Sequence, residues 1–193
     1  MALKELEAQS KAAAETATAQ LAAKTKHRED KDRRDHRKKR THERRRRIVR
    51  ENLDKDPEVW NRINVLLTRL DVGGMSGDET DSPISISPKR VRRVNLPWRS
   101  HAISQLFNAV ESYEGAARAE CLAAAIGNHR FAREFASLKE DQNSKPLFRL
   151  PRNWYNDQWV QSMSSSTQQL CGLDTTEVVE IPTLPHYGST ICD

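Results

Sequence analysis

The sequence predicts a mainly α protein, with a long charged N-terminal helix ahead of a small helical core and with a disordered linker and tail. Three observations predict it. Residues 2–24 are rich in alanine, the strongest helix former, and hold neither Gly nor Pro. Residues 24–50 repeatedly place an acid four residues ahead of a base, the order that supports a helix. Residues 57–71 carry large apolar side chains at spacings of three and four, which is one face of a 3.6-residue period.

The totals limit how large that core can be. Leu, Ile, Val and Phe number 38 of 193 residues, just under the fifth below which a packed fold becomes hard to sustain, and the 19 alanines add little buried area. Small packed regions joined by solvated segments are the expected outcome. Cys121, Cys171 and Cys192 are odd in number and far apart, residues 1–23 lack the apolar centre of a secretory signal, and no apolar run approaches bilayer length. These features predict reduced thiols inside a cell and no membrane partner.

Residues 1–52 are expected to form one extended helix, Ala-rich and then basic. Leu3, Leu6 and Leu21 are too few for a continuous apolar stripe. In the basic part, Glu29–Arg33, Asp30–Arg34, Asp35–Lys39 and Glu43–Arg47 are spaced for ion pairs of about 0.2–0.5 kcal/mol each. Asp54-Lys55-Asp56-Pro57 then ends the helix and starts another over 57–71, with Asp56 placed to cap and Pro57 at the first helical position, where a missing N–H costs nothing. Val59, Trp60, Ile63, Leu66, Leu67 and Leu70 form its apolar face, and Gly73-Gly74 closes it.

Residues 72–98 read as a linker, acidic and then basic, broken by Ser82-Pro83 and Ser87-Pro88, with a short extended piece near Val91 and Val94. Residues 99–171 read as a small helical region. Ser100 is placed to cap a helix bearing Ile103, Leu106, Phe107 and Val110, the natural cover for the 57–71 face. Glu114-Gly115 interrupts that helix, which resumes over 116–126. A short helix is expected near 129–138, and Asn156 is placed to cap another over 157–163. Residues 172–193 read as a flexible acidic tail, with Glu177–Ile181 as a lone strand.

The charge points to chemistry. Residues 24–50 hold 15 Lys or Arg against 5 acids, a net +10, whereas the whole chain is only +5, so everything else is mildly acidic. Such an asymmetry suits a polyanion or an import receptor. The candidate nucleic-acid contacts are Arg33, Arg34, Arg37, Lys38, Lys39, Arg40, Arg44, Arg45, Arg46 and Arg47. The blocks Arg37–Arg40 and Arg44–Arg47, separated by Thr41-His42-Glu43, also match a nuclear import signal.

Other chemistries find little support. The six histidines never pair with Cys at metal-finger spacing, so no metal and no cofactor are expected. No nucleophile elbow or phosphate-cradling glycine loop occurs, so no catalytic residue is assigned and the protein is read as a non-enzyme. A basic helix before an apolar one suggests a leucine-zipper DNA binder, but Pro57 breaks the phase and the base-reading Asn is missing. Trp154, Tyr155 and Trp159, beside Arg149 and Arg152, present either a base-stacking platform or ordinary core. Ser76, with Glu79 three residues on, fits an acidophilic kinase pattern, and Ser87-Pro88 fits a proline-directed one.

Arg44–Arg47, then Gly73-Gly74-Met75-Ser76-Gly77-Asp78-Glu79-Thr80-Asp81, then Pro97-Trp98-Arg99-Ser100, then Leu150-Pro151-Arg152-Asn153-Trp154-Tyr155 occur in that order. The set resembles a group of uncharacterised proteins abundant in mushroom-forming fungi, which carry a basic segment, a GMSSDES-like stretch, a WRS and an LPRNFYD-like motif. The resemblance covers roughly 44–160. It departs at Gly77, Thr80, Trp154 and Asn156, and it implies a lineage without implying an activity.

Together these features lead to the expectation of a non-catalytic nuclear protein whose basic helix contacts nucleic acid, DNA or RNA, through phosphates without regard to sequence. The alternative is a protein-interaction or scaffold protein in which the basic segment serves only import.

Overall fold

A computed structural model describes residues 2–80, 91–121, 133–134, 140–141, 144–173 and 176–184, with side chains described over 15–77, 94–113, 140–141, 144–173 and 176–184. The protein is mainly helical. Helix α1 spans Ala2–Asn52, α2 Pro57–Leu70, α3 His101–Cys121, α4 Asp157–Gln161 and α5 Ser165–Leu170. Strands β1 (Asp78–Thr80), β2 (Val91–Arg93) and β3 (Arg133–Glu134) form a small sheet in that order. β1 and β2 run antiparallel, with Asp78 opposite Arg93, and β2 and β3 run parallel, with Val91 opposite Arg133.

The chain divides into two compact units, Met1–Arg37 and Lys38–Asp193. In the first, every described side chain from Glu15 to Arg33 is exposed, Leu21 among them. With no apolar face buried among these described residues, that part of the helix depends on alanine content and local pairs. Arg33 reaches Glu29 at 3.5 Å and Asp30 at 3.7 Å.

The second unit holds the core. The α1 residues within it bury Thr41, His42, Arg45, Ile48, Val49 and Asn52, one face at helical spacing. Asp56 caps α2 as its position predicts, its carboxylate accepting from Val59 N at 3.1 Å. Trp60, Ile63, Leu66, Leu67 and Leu70 of α2 and Ile103, Leu106, Phe107 and Val110 of α3 belong to one buried cluster with Ile48 and Val49. Each fully buried aliphatic side chain there contributes about 1.5–3 kcal/mol relative to exposure. Trp60 meets Tyr113 edge to face, with centroids 5.1 Å apart.

The turn after α2 depends on close approach. A Cβ at Gly74 would lie 2.6 Å from Leu70 Cβ, so only glycine lets the chain fold back there. Residues 72–74 form one 3₁₀ turn, which delivers Met75 and Ser76, both 0% exposed, into the interior.

Several expectations need correction. The 72–98 stretch is not a linker at its ends: Gly74, Met75, Ser76, Val94, Leu96 and Trp98 are buried, and only 81–90 lie outside the described residues. Gly115 does not interrupt α3, which runs on to Cys121. Helical hydrogen bonds on both sides carry a single glycine at a cost of about 1 kcal/mol. Of the helix expected near 129–138, the described pair Arg133–Glu134 is strand β3, and its neighbours lie outside the described residues.

The 150–163 segment behaves largely as its residues predict. Asn156 caps α4, accepting from Gln158 N at 3.0 Å. Arg99 and Tyr155 form an isolated antiparallel bridge, Ser100 N donating to Trp154 O at 2.8 Å and Asn156 N to Trp98 O at 2.9 Å. The Trp98-Arg99-Ser100 and Trp154-Tyr155 motifs, more than 50 residues apart, are therefore paired strands of backbone. The Tyr155 hydroxyl donates to Leu147 O at 2.8 Å and accepts from Leu150 N at 3.0 Å, closing the loop between them.

The tail is likewise corrected for its described part. Residues 176–184 are extended and docked, with Arg152 N donating to Glu177 O at 2.8 Å and Pro182 buried. Residues 185–193 lie outside the described residues.

Candidate nucleic-acid interface

A phosphate contact needs a cation that solvent can reach, so exposure along the basic stretch decides which candidates qualify. Arg33, Lys39, Arg40 and Arg46 are exposed. Arg34, Arg37, Lys38 and Arg47 are half-buried, and Arg47 lies 3.5 Å from Glu51. Within the second unit, Lys39, Arg46 and Arg50 are exposed at spacings of seven and four, one stripe of α1 on the side away from Ile48.

Arg44 and Arg45 are different. The Arg45 side chain is 0% exposed, its Nε and Nη2 donating to Glu111 Oε1 at 3.0 and 2.7 Å. Its Nη1 lies 3.0 Å from Met75 Sδ, and its guanidinium carbon sits 4.0 Å above the Phe107 ring. The Arg44 side chain is 10% exposed and pairs with the other Glu111 oxygen, at 2.5 Å. A carboxylate in such a place needs both oxygens occupied, because an ion pair taken from water is sustained only by near-complete hydrogen bonding. Arginine suits the position better than lysine: its planar fork takes one oxygen with two N–H groups, and its weakly hydrated face stacks on Phe107. Arg44 and Arg45 are thus corrected from candidate phosphate contacts to the partners of a buried glutamate.

Arg99 completes this node. It is 2% exposed, donates to Gly74 O at 2.6 Å and to Ser104 Oγ at 3.2 Å, and stands 5.1 Å from the Phe107 centroid. Two guanidiniums thereby hold the Gly74-Met75 turn against α3. The four motifs that carry the resemblance consequently converge: Arg45 and Arg99 grip the glycine-methionine turn, and the Arg99 backbone pairs with Tyr155. Their convergence builds the core, and the Arg45, Met75, Arg99 and Tyr155 side chains are too deeply buried to act on a ligand.

The remaining candidates resolve in similar terms. Trp154 and Tyr155 are 1% and 2% exposed, and Trp159 stacks on Tyr155 at 6.2 Å, so the cluster is packing and offers no open face to a base. Burial pushes the Tyr155 phenol above its ordinary value. Ser76 is wholly enclosed, so a kinase cannot reach it in the folded protein, and the phosphorylation reading there is corrected. Ser87 lies outside the described residues.

No group of three or more His, Cys, Asp or Glu side chains converges as a metal site among the described residues. No helix among them is long and apolar enough to cross a membrane. A groove of about 310 Å³ runs between α3 and residues 181–184, and none of its lining residues, Gln105, Asn108 and Leu184 among them, is ionisable.

Sequence reasoning missed Glu111, Arg99 and Asn153. It also missed that Thr41, His42, Arg45, Ile48, Val49 and Asn52 form a face, although their spacing was available. Comparison with protein-family models, curated proteins and solved structures gives no match to this chain.

Proposed function

We propose that this protein is a non-catalytic nuclear protein that holds nucleic acid, DNA or RNA, through its phosphates, using the solvent-facing cations of residues 24–50 other than Arg44 and Arg45. One observation carries the reading. Setting aside the two arginines engaged with Glu111 leaves 13 Lys or Arg against 5 acids, a net +8, in a chain that is otherwise mildly acidic. A cationic helix of that kind attracts a polyanion by releasing its counterions, and it supplies no means of reading bases.

The test is a titration of unrelated duplexes and single strands at several salt concentrations. If roughly five to eight phosphates are neutralised, log K falls against log salt with a slope of about −4.5 to −7 on duplex DNA. Duplexes of equal length bind within a few-fold of one another. A slope near zero, or a thousand-fold preference for one sequence, removes the reading.

The second reading, a scaffold whose basic segment serves import, draws on Lys39 and Arg40 being exposed within the first basic block. A receptor that needs the second block as well would have to withdraw Arg45 from Glu111. Replacing Arg37–Arg40 with Gln in a large fluorescent fusion should therefore abolish nuclear accumulation. If the distribution does not change, the import reading fails.

A further inference from the structure

We infer that residues 176–184 are an internal ligand, and that the surface they cover, Arg62 and Arg69 of α2 with Asn153, is a docking site for an extended acidic peptide of another protein. This goes beyond the phosphate-binding reading and rests on none of the same residues. The segment has no helical hydrogen bonds of its own, and its contacts come from parts of the chain far away in sequence.

The Asn153 carboxamide reads the backbone of Val179 in both directions, Nδ2 donating to its carbonyl at 2.8 Å and Oδ1 accepting from its N–H at 3.2 Å. That is the pair of bonds a neighbouring β-strand would supply, and strand addition is a common way to hold a peptide. The carboxylates are read by α2. Arg69 takes Glu177 with both Nη atoms, at 3.0 and 3.3 Å, and Arg62 takes Glu180 at 2.9 Å. Hydrogen bonding to Arg69 holds the Glu177 carboxyl below its ordinary value.

The spacing of these partners forms a ruler. Arg62 and Arg69 are seven residues apart on one helix face, about 10 Å along the axis. Glu177 and Glu180 are three apart in an extended chain, again about 10 Å. The two arginines of α2 thus meet acids three apart in an extended segment running antiparallel to the helix, Arg62 being shared with Glu58 of α2 at 2.7 Å. Between and after them Val179 and Ile181 are partly buried and Pro182 is buried, while Val178 points outward at 69% exposure. The recognised pattern is Glu, any residue, aliphatic, Glu, aliphatic, Pro.

The charged contacts that hold the segment are individually weak. Glu177 and Glu180 have side chains 48% and 78% exposed, and exposed ion pairs and single hydrogen bonds each contribute little. None of the segment's side chains is among the largest fully buried ones of the core. Tethering keeps this surface covered, since a linked segment competes at an effective concentration of order millimolar.

The test uses the full chain and a fluorescent peptide with the sequence of residues 176–184. Val179→Pro removes the N–H that Asn153 accepts from and detaches the segment. Glu177→Lys with Glu180→Lys detaches it by charge instead. Both detached proteins should bind the peptide at least ten-fold more tightly than the unaltered protein does, with thermal midpoints within a few degrees of it. Adding Arg69→Glu to a detached protein should abolish binding, and a peptide with Lys in place of Glu177 should restore it. Equal binding to the detached and unaltered proteins, failure of the charge swap, or loss of the fold in both detached variants would overturn the inference.

Discussion

Two blocks of four basic residues, Arg37-Lys38-Lys39-Arg40 and Arg44-Arg45-Arg46-Arg47, stand three residues apart on one helix and read alike in sequence. Their environments differ. In the first block Lys39 and Arg40 are exposed and Arg37 and Lys38 half-buried, whereas in the second Arg45 is wholly buried and Arg44 nearly so. The cause lies next to the second block. Ile48 and Val49 turn the last turns of α1 inward, and Arg45, three residues before Ile48, shares their face. A run of cations reports net charge, but which of them meet solvent is set by the apolar residues beside them. Arginine tolerates the inward position where a carboxylate and an aromatic ring are both waiting.

The sharpest way to break the comparison is Arg45→Ala. It strips Glu111 Oε1 of two donors inside the core and should cost about 3–5 kcal/mol, the penalty for orphaning one member of a buried pair. Urea unfolding measures it. Arg45→Lys should recover little, because an ammonium cannot present the paired N–H groups or stack on Phe107. A cost under about 0.5 kcal/mol, the usual range for surface changes, would place Arg45 with the first block.

Leu67→Ala tests the cover those arginines lie beneath. Leu67 is 0% exposed, and truncating such a leucine costs about 2–5 kcal/mol by removing contacts and leaving a cavity. An unchanged thermal midpoint would mean that the α2 face is exposed and serves a partner instead. Tyr155→Phe should cost less, about 1–3 kcal/mol, since it leaves Leu147 O and Leu150 N without the hydroxyl that joins them. Tyr155 also gives the protein an alkaline limit. Its folded pKa is raised, so its contribution is fully present below the ordinary value of 10.0 and is lost as pH rises through the folded value. Tyr155→Phe should therefore flatten the fall of stability above about pH 10.

What could be read from the sequence follows the strength of local signals. α2 was legible to within one residue of its end, because Asp56, Pro57 and the Trp60–Leu70 periodicity all agree, and the start of α4 was legible from Asn156, although it ends at Gln161, two residues before its expected end. The role of Arg45 was not. Its partner Glu111 is 66 residues away, and a buried arginine inside a basic run carries no local mark. Ser76 was misplaced for a similar reason. A small acidic stretch reads as solvated, yet Gly74 lets the chain turn back sharply and two distant guanidiniums draw the turn inward. Of the candidate interface, the charge excess was legible, but the division of that charge between core and solvent required tertiary contacts.

The smallest effect on stability is expected at Arg40, and it sharpens the comparison most. Arg40 is exposed, so Arg40→Ala should change unfolding free energy by no more than about 0.5 kcal/mol. On the proposed reading its effect is on binding. If Arg40 neutralises one phosphate, its removal should weaken all nucleic acids alike and flatten the log K against log salt slope by about 0.9. Arg45→Ala, assayed under conditions where it remains folded, should leave that slope unchanged, because its guanidinium is spent on Glu111. On the proposed reading, the pair of variants separates two properties that the sequence merges: Arg40→Ala should alter binding without stability, and Arg45→Ala stability without binding. Equal slopes for the Arg40→Ala protein and the unaltered one would exclude Arg40 from the interface. A flattened slope for folded Arg45→Ala would mean that nucleic acid draws the second block out of the core.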